Sequence, residues 1–151
     1  MSSLKKGYYR NLLLSVNRGM AGAIHSNAKP LYILSLIKCI ENGDIIGNKI
    51  MYTDQLENIY NRLSAVYEPT IKTTLFYKPF FHLSKDTFYN LVWKKDREPP
   101  KGCHTPSAKY IRENIAYAYL DPELWDLLQD AEVRSEFREA IINHYLVNSK
   151  K

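Results

Sequence analysis

The chain has 151 residues, 45% of them hydrophobic and 25% charged, ordinary values for a globular chain of this length and enough for one domain around one core. A formal net charge of +5 favours an acidic partner. The two cysteines, Cys39 and Cys103, form no C-x-x-C pair and demand no disulfide, and the longest apolar run near the start, Leu12-Leu13-Leu14, is too short for a signal sequence or a membrane span; the expectation is a reduced, cytoplasmic protein.

Leu4, Tyr8, Leu12 and Val16 recur at four-residue steps, with Leu13 widening the stripe, and predict a helix over residues 3–17 that Gly19 and Gly22 end. Residues 21–29 are small and polar without a period, a loop leading to Pro30 as the first residue of a helix over 30–41. Leu31, Ile33, Leu34, Leu36, Ile37 and Ile40 make that helix apolar on most faces, as a central helix should be, and Asn42-Gly43 closes it. A short strand is expected over 49–52. Asp54-Gln55-Leu56-Glu57 then reads as a capping box for a helix over 55–67, which Glu68-Pro69 terminates.

Residues 76–83 and 88–93 are rich in aromatics and separated by Ser84-Lys85-Asp86-Thr87, a pattern that predicts a β-hairpin anchored by Phe80, Leu83, Phe88 and Leu91. Residues 94–106 form a basic loop too rich in Pro and Gly for regular structure. Ser107 is expected to cap a helix reaching Leu120, Asp121-Pro122 to start another, and a last helix to run over 132–147 before a frayed tail at 148–151. The fold class is α+β: a single, mainly helical domain over 1–151 with a short strand and a β-hairpin, loosely winged-helix-like in element order.

Charge is distributed unevenly. Residues 1–40 hold Lys5, Lys6, Arg10, Arg18, Lys29 and Lys38 and no carboxylate, whereas residues 114–151 carry seven carboxylates against four cations. If the basic segments converge, they make a face for phosphates with the acidic helices turned away. The basic stretch 94–109 has the plainer reading of a solvated surface, but Tyr77, Tyr89 and Trp93 lie close in sequence to Lys78, Lys94 and Lys95, a mixture suited to stacking and phosphate contact. Catalytic chemistry has no motif here: no G-x-S-x-G, no P-loop, no G-x-G-x-x-G, and His25, His82, His104 and His144 are not at metal-ligand spacing.

Several segments together resemble the sulfur-binding domain that precedes the HNH nuclease in McrA-type, modification-dependent restriction endonucleases. They are Asn17-Arg18-Gly19, Lys29-Pro30-Leu31 and the apolar helix ending in Glu-Asn-Gly, then Pro79-Phe80-Phe81-His82-Leu83, and finally Arg112-Glu113 leading into Tyr119-Leu120-Asp121-Pro122-Glu123-Leu124-Trp125. The resemblance implies recognition of phosphorothioate DNA, in which a soft, poorly hydrated sulfur sits in a shallow apolar pocket while cations hold the neighbouring phosphates. Carried over, the pocket falls at Thr105, Pro106 and Ala108. Thr105 stands where the family has an aromatic, Ala28 where relatives commonly have His, and Thr87 where a Gly is usual.

The resemblance therefore implies a DNA-binding module without the nuclease, non-catalytic by itself, acting in restriction or defence. Its DNA-binding residues would be Arg18, Lys29, Lys78, His82, Lys94, Lys95, Arg97, Lys101, His104, Lys109 and Arg112, with no metal and no cofactor. The expected partners are double-stranded DNA and a separate nuclease subunit, with no membrane. The alternatives are a protein-interaction or regulatory subunit of a defence system that does not touch DNA, and an enzyme with a metal site built from His25, His82 or His104.

Overall fold

A computed structural model describes residues 3–18, 20–21, 24–70, 74–97 and 105–146. The elements in chain order are helix α1 (Ser3–Leu13), the two-residue strands β1 (Met20–Ala21) and β2 (Ile24–His25), α2 (Ala28–Asn42), α3 (Asp54–Tyr67), α4 (Tyr77–His82), β3 (Tyr89–Trp93), α5 (Ala108–Asn114), β4 (Ile115–Leu120), α6 (Pro122–Leu127) and α7 (Ala131–Ile141). A 3-10 turn, Leu83–Lys85, continues α4, and a π-turn, Ile142–Leu146, continues α7. The α+β class holds, and helices dominate.

Helix α2 is the central element, packed against α3, α4 and α7. Between residues 29 and 40 only Lys38 is exposed, as the nearly continuous apolar run requires. It starts two residues earlier than Pro30, with Asn27 at the N-cap, and ends where expected: Gly43 takes the left-handed conformation (φ 80°) and its N–H returns to the carbonyls of the last turn. Helix α3 is capped by Thr53, whose Oγ1 accepts from the Leu56 N–H at 3.2 Å, so Asp54 is the first helical residue and not the cap of a capping box. Its Leu56 and Tyr60 are buried, with Ile59, Leu63 and Tyr67 packed at the core margin.

The predicted hairpin is not formed. Residues 77–85 are helical, and β3 pairs antiparallel with β4, more than twenty residues downstream, with Tyr89 opposite Leu120 and Leu91 opposite Ala118. The period explains the difference. Phe76, Phe80 and Leu83 are spaced four and three apart and all are buried, at 1%, 0% and 0% exposure, which is a helical stripe among residues whose aromatic content favours a strand. Consecutive strands do pair, β1 with β2 and β3 with β4, but neither pair is the one expected over 76–93.

The helix expected from Ser107 to Leu120 stops at Asn114. Ser107 does cap it, accepting from the Tyr110 N–H at 3.1 Å, but Ile115 to Leu120 is a run of β-branched, aromatic and small residues that continues as β4. The segment before α3 joins the sheet only at Ile50, bridged to Ala118 by two backbone bonds of 2.7 and 2.8 Å. The Asn48 side-chain amide extends that edge, bonding both the carbonyl and the N–H of Leu120. Asp121 caps α6 with Pro122 at the first helical position, and its carboxylate accepts from the Tyr9 hydroxyl at 3.1 Å, tying α1 to the acidic end of the chain. The tail at 148–151 lies outside the described residues. Among the described residues no helix is long and apolar enough to cross a membrane.

Candidate nucleic-acid interface

The turn from α4 into the 3-10 segment carries two stripes. One is the buried Phe76, Phe80 and Leu83; the other is Lys78, His82 and Lys85, again spaced four and three apart. The basic stripe forms one wall of a concave cavity of about 440 Å³. The opposite walls come from Asn17 and Arg18 after α1, from Ser26, Ala28 and Lys29 at the start of α2, and from Thr74 before α4. Among the described residues no carboxylate lines it.

The cations of the cavity are not equivalent. Lys29 is 8% exposed and its Nζ lies 2.7 Å from the Asp86 carboxylate, which also accepts from the Asn17 backbone N–H at 3.1 Å. That buried pair fixes the cavity floor by joining α2 to the segment after α4, and leaves Lys29 without net charge to offer. Arg18 stacks over the Tyr145 ring at 4.9 Å and donates to the Asn27 side-chain oxygen at 2.9 Å. Asn27 in turn donates to Glu68 at 2.8 Å, so that carboxylate is linked to the guanidinium through the amide. Lys78 and Lys85 are exposed and make no ion pair among the described residues.

His82 stands between them. Its Nε2 lies 2.7 Å from the Thr105 hydroxyl oxygen, and its Nδ1 is buried without a hydrogen-bond partner. Burial lowers its pKa, helped by the positive charges of Lys85, Lys29 and Lys78, so the ring is neutral at pH 7. A neutral ring that donates from Nε2 leaves only a bare lone pair buried at Nδ1, which costs less than an unmatched N–H. The Thr105 contact brings the start of α5 to the cavity wall. Of the three residues expected in a sulfur pocket, Thr105 and Ala108 are partly exposed and Pro106 is buried.

The remaining expected contacts are dispersed. Lys94, Lys95 and Arg97 follow β3 on an exposed turn in which Asp96 has a positive φ of 62°. Rings connect that turn to the cavity: Trp93 lies 6.4 Å from Phe81, which is 5.1 Å from His82, and Tyr110 lies 6.3 Å from Trp93 on the other side. Tyr89 is not available for stacking, being 1% exposed with its hydroxyl bonded to Tyr32 and to the Phe80 carbonyl. Lys109 is exposed on α5. Arg112 sits apart, 4.0 Å from Asp54 and 3.9 Å from Glu57 and stacked on Tyr52 at 4.9 Å. Lys101 and His104 lie outside the described residues, as does Cys103. Cys39 is buried and unpaired, its thiol pushed up to about 12 by burial. Among the described residues no three His, Cys, Asp or Glu side chains converge as a metal site would need.

Sequence reasoning missed Lys85, which it placed in a hairpin turn, and also Asn17, Ser26 and Thr74 as lining residues. The signal for Lys85 was present: read as a helix, residues 78, 82 and 85 share a face. Comparison with protein-family models and with curated proteins gives no match to this chain.

Proposed function

We propose that the protein binds double-stranded DNA through the cavity and its basic rim and reads the chemical state of the backbone without cutting it, in a cytoplasmic restriction or defence setting. The observation that carries the reading is the convergence of Arg18, Lys78 and Lys85 on one concave surface that no carboxylate lines among the described residues. Lysines and an arginine held on fixed elements suit phosphate oxygens, and their field raises the local concentration of a polyanion. Phosphorothioate is the modification that the family resemblance points to, and Thr105, bonded to His82, and Ala108, at the start of α5, are the side chains that would meet the sulfur. A sulfur atom is more weakly hydrated than oxygen, so a half-apolar site next to fixed cations discriminates in its favour.

The test is a titration of matched duplexes, with and without a stereodefined phosphorothioate, at two salt concentrations. The expected result is salt-dependent binding to both and tighter binding to the sulfur-bearing duplex. Equal affinities would remove the sulfur reading, and no binding to either would remove DNA.

A further inference from the structure

A groove that follows a phosphate backbone can be shallow, yet the cavity beside α4 encloses about 440 Å³, within the range of sites that hold a whole small molecule. Its lining is mixed. Arg18, Lys78 and Lys85 provide positive charge, while Asn17, Ser26 and Thr74 are neutral donors and acceptors. Pro79, buried, and the His82 ring supply flat or apolar surface. Cations, amide and hydroxyl groups, and a flat face are the kinds of group that the phosphate, sugar, base edge and base face of one nucleotide would each need. A base inside a duplex cannot reach such a site while stacked, so occupancy requires that it leave the stack.

We propose that the cavity takes one entire nucleotide unit, its 5′-phosphate at the lysines and its base against Pro79 and His82, supplied by a duplex from which that nucleotide has swung out. The proposal rests on the DNA-binding reading above. Burial of Lys29 and Asp86 in a 2.7 Å pair gives the floor a fixed shape, so the cavity is preformed and the unstacked state is the one it stabilises. A free nucleoside monophosphate has the same chemistry and is the other source.

The experiment uses duplexes carrying 2-aminopurine at successive single positions, whose fluorescence rises when the base leaves the stack, alongside free 2-aminopurine deoxynucleoside monophosphate. A several-fold rise at one position on binding supports the proposal. That rise should disappear in Thr74→Trp and in Ala28→Leu, two independent ways of filling the cavity, and persist in Arg112→Ala, which lies away from it. Duplex binding with no fluorescence change at any position overturns the extruded nucleotide while leaving DNA binding intact. Saturable binding of the monophosphate alone supports a nucleotide site fed from solution and overturns the duplex as its source. Failure of both ligands to bind overturns the proposal together with the DNA reading.

Discussion

Two arginines in this protein have almost the same local geometry and opposite prospects. Arg18 and Arg112 each stack on a tyrosine at 4.9 Å, Tyr145 and Tyr52 respectively. Arg112 also has Asp54 and Glu57 within 4.0 Å, whereas the nearest partner of Arg18 is the neutral amide of Asn27. A ring holds a guanidinium in place without cancelling its charge, and carboxylates cancel it. Only the first arrangement leaves a cation for an incoming phosphate. Counting basic residues therefore overstates the interface: of the cations expected to bind DNA, Lys29 and Arg112 are matched by carboxylates, and Lys85, which was not expected, makes no ion pair among the described residues.

The largest expected effect comes from removing a matched cation. Lys29→Ala leaves Asp86 buried without its partner and should lower unfolding stability by about 3–5 kcal/mol, read from urea denaturation. Lys29→Met with Asp86→Leu should recover most of that loss, because the pair is replaced and not broken. Next, Lys78→Ala with Lys85→Ala should leave stability within about 0.5 kcal/mol. At roughly 1.5 kcal/mol per charge-assisted contact, it should weaken duplex binding about a hundredfold and reduce the salt slope by about 2. An unchanged slope would show that the α4 face does not touch phosphate.

The twin arginines give a smaller and more direct contrast. Arg18→Ala should weaken binding by roughly tenfold, and Arg112→Ala by less than about twofold, when both are titrated at one salt concentration. Comparable losses would abolish the distinction drawn between them. The smallest effect concerns pH. The imidazole of His82 titrates below its ordinary value of 6.5 in the free protein, and a bound phosphate raises it again, so binding takes up a proton and tightens as pH falls through the 6s. Without ligand the sign is reversed for folding: the unfolded chain holds more protons just below pH 6.5, so stability declines there. His82→Gln should remove both trends.

Much of the fold was legible because single-residue signals coincided with a period. Helices α2 and α3, the Gly43 stop, the Ser107 cap and the Asp121-Pro122 start all rest on local chemistry that tertiary packing did not override. The two largest errors were exchanges between period and propensity. In residues 76–85, aromatic residues outweighed a helical spacing shared by Phe76, Phe80 and Leu83 and by Lys78, His82 and Lys85. In residues 115–120, the helix begun at Ser107 was extended through residues that alternate as a strand, because their partner, β3, lies far back in the chain and pairing at that separation has no local mark. The site suffered accordingly. Lys78, His82 and Arg18 were chosen on charge and resemblance, but their convergence depended on reading α4 as a helix, and the buried Lys29–Asp86 pair joins residues 57 positions apart.

The π-turn at Ile142–Leu146 has a consequence for how the protein is made. It directs the Tyr145 hydroxyl to the Leu13 carbonyl at 2.8 Å, brings it within 3.3 Å of the Val16 N–H, and sets its ring beneath Arg18. The wall of the basic cavity formed by Asn17 and Arg18 is thus buttressed by a residue from a distant part of the chain. During translation, Arg18 emerges from the ribosome more than a hundred residues ahead of the ring that orients it, and the nascent chain cannot hold a finished site until Tyr145 has followed.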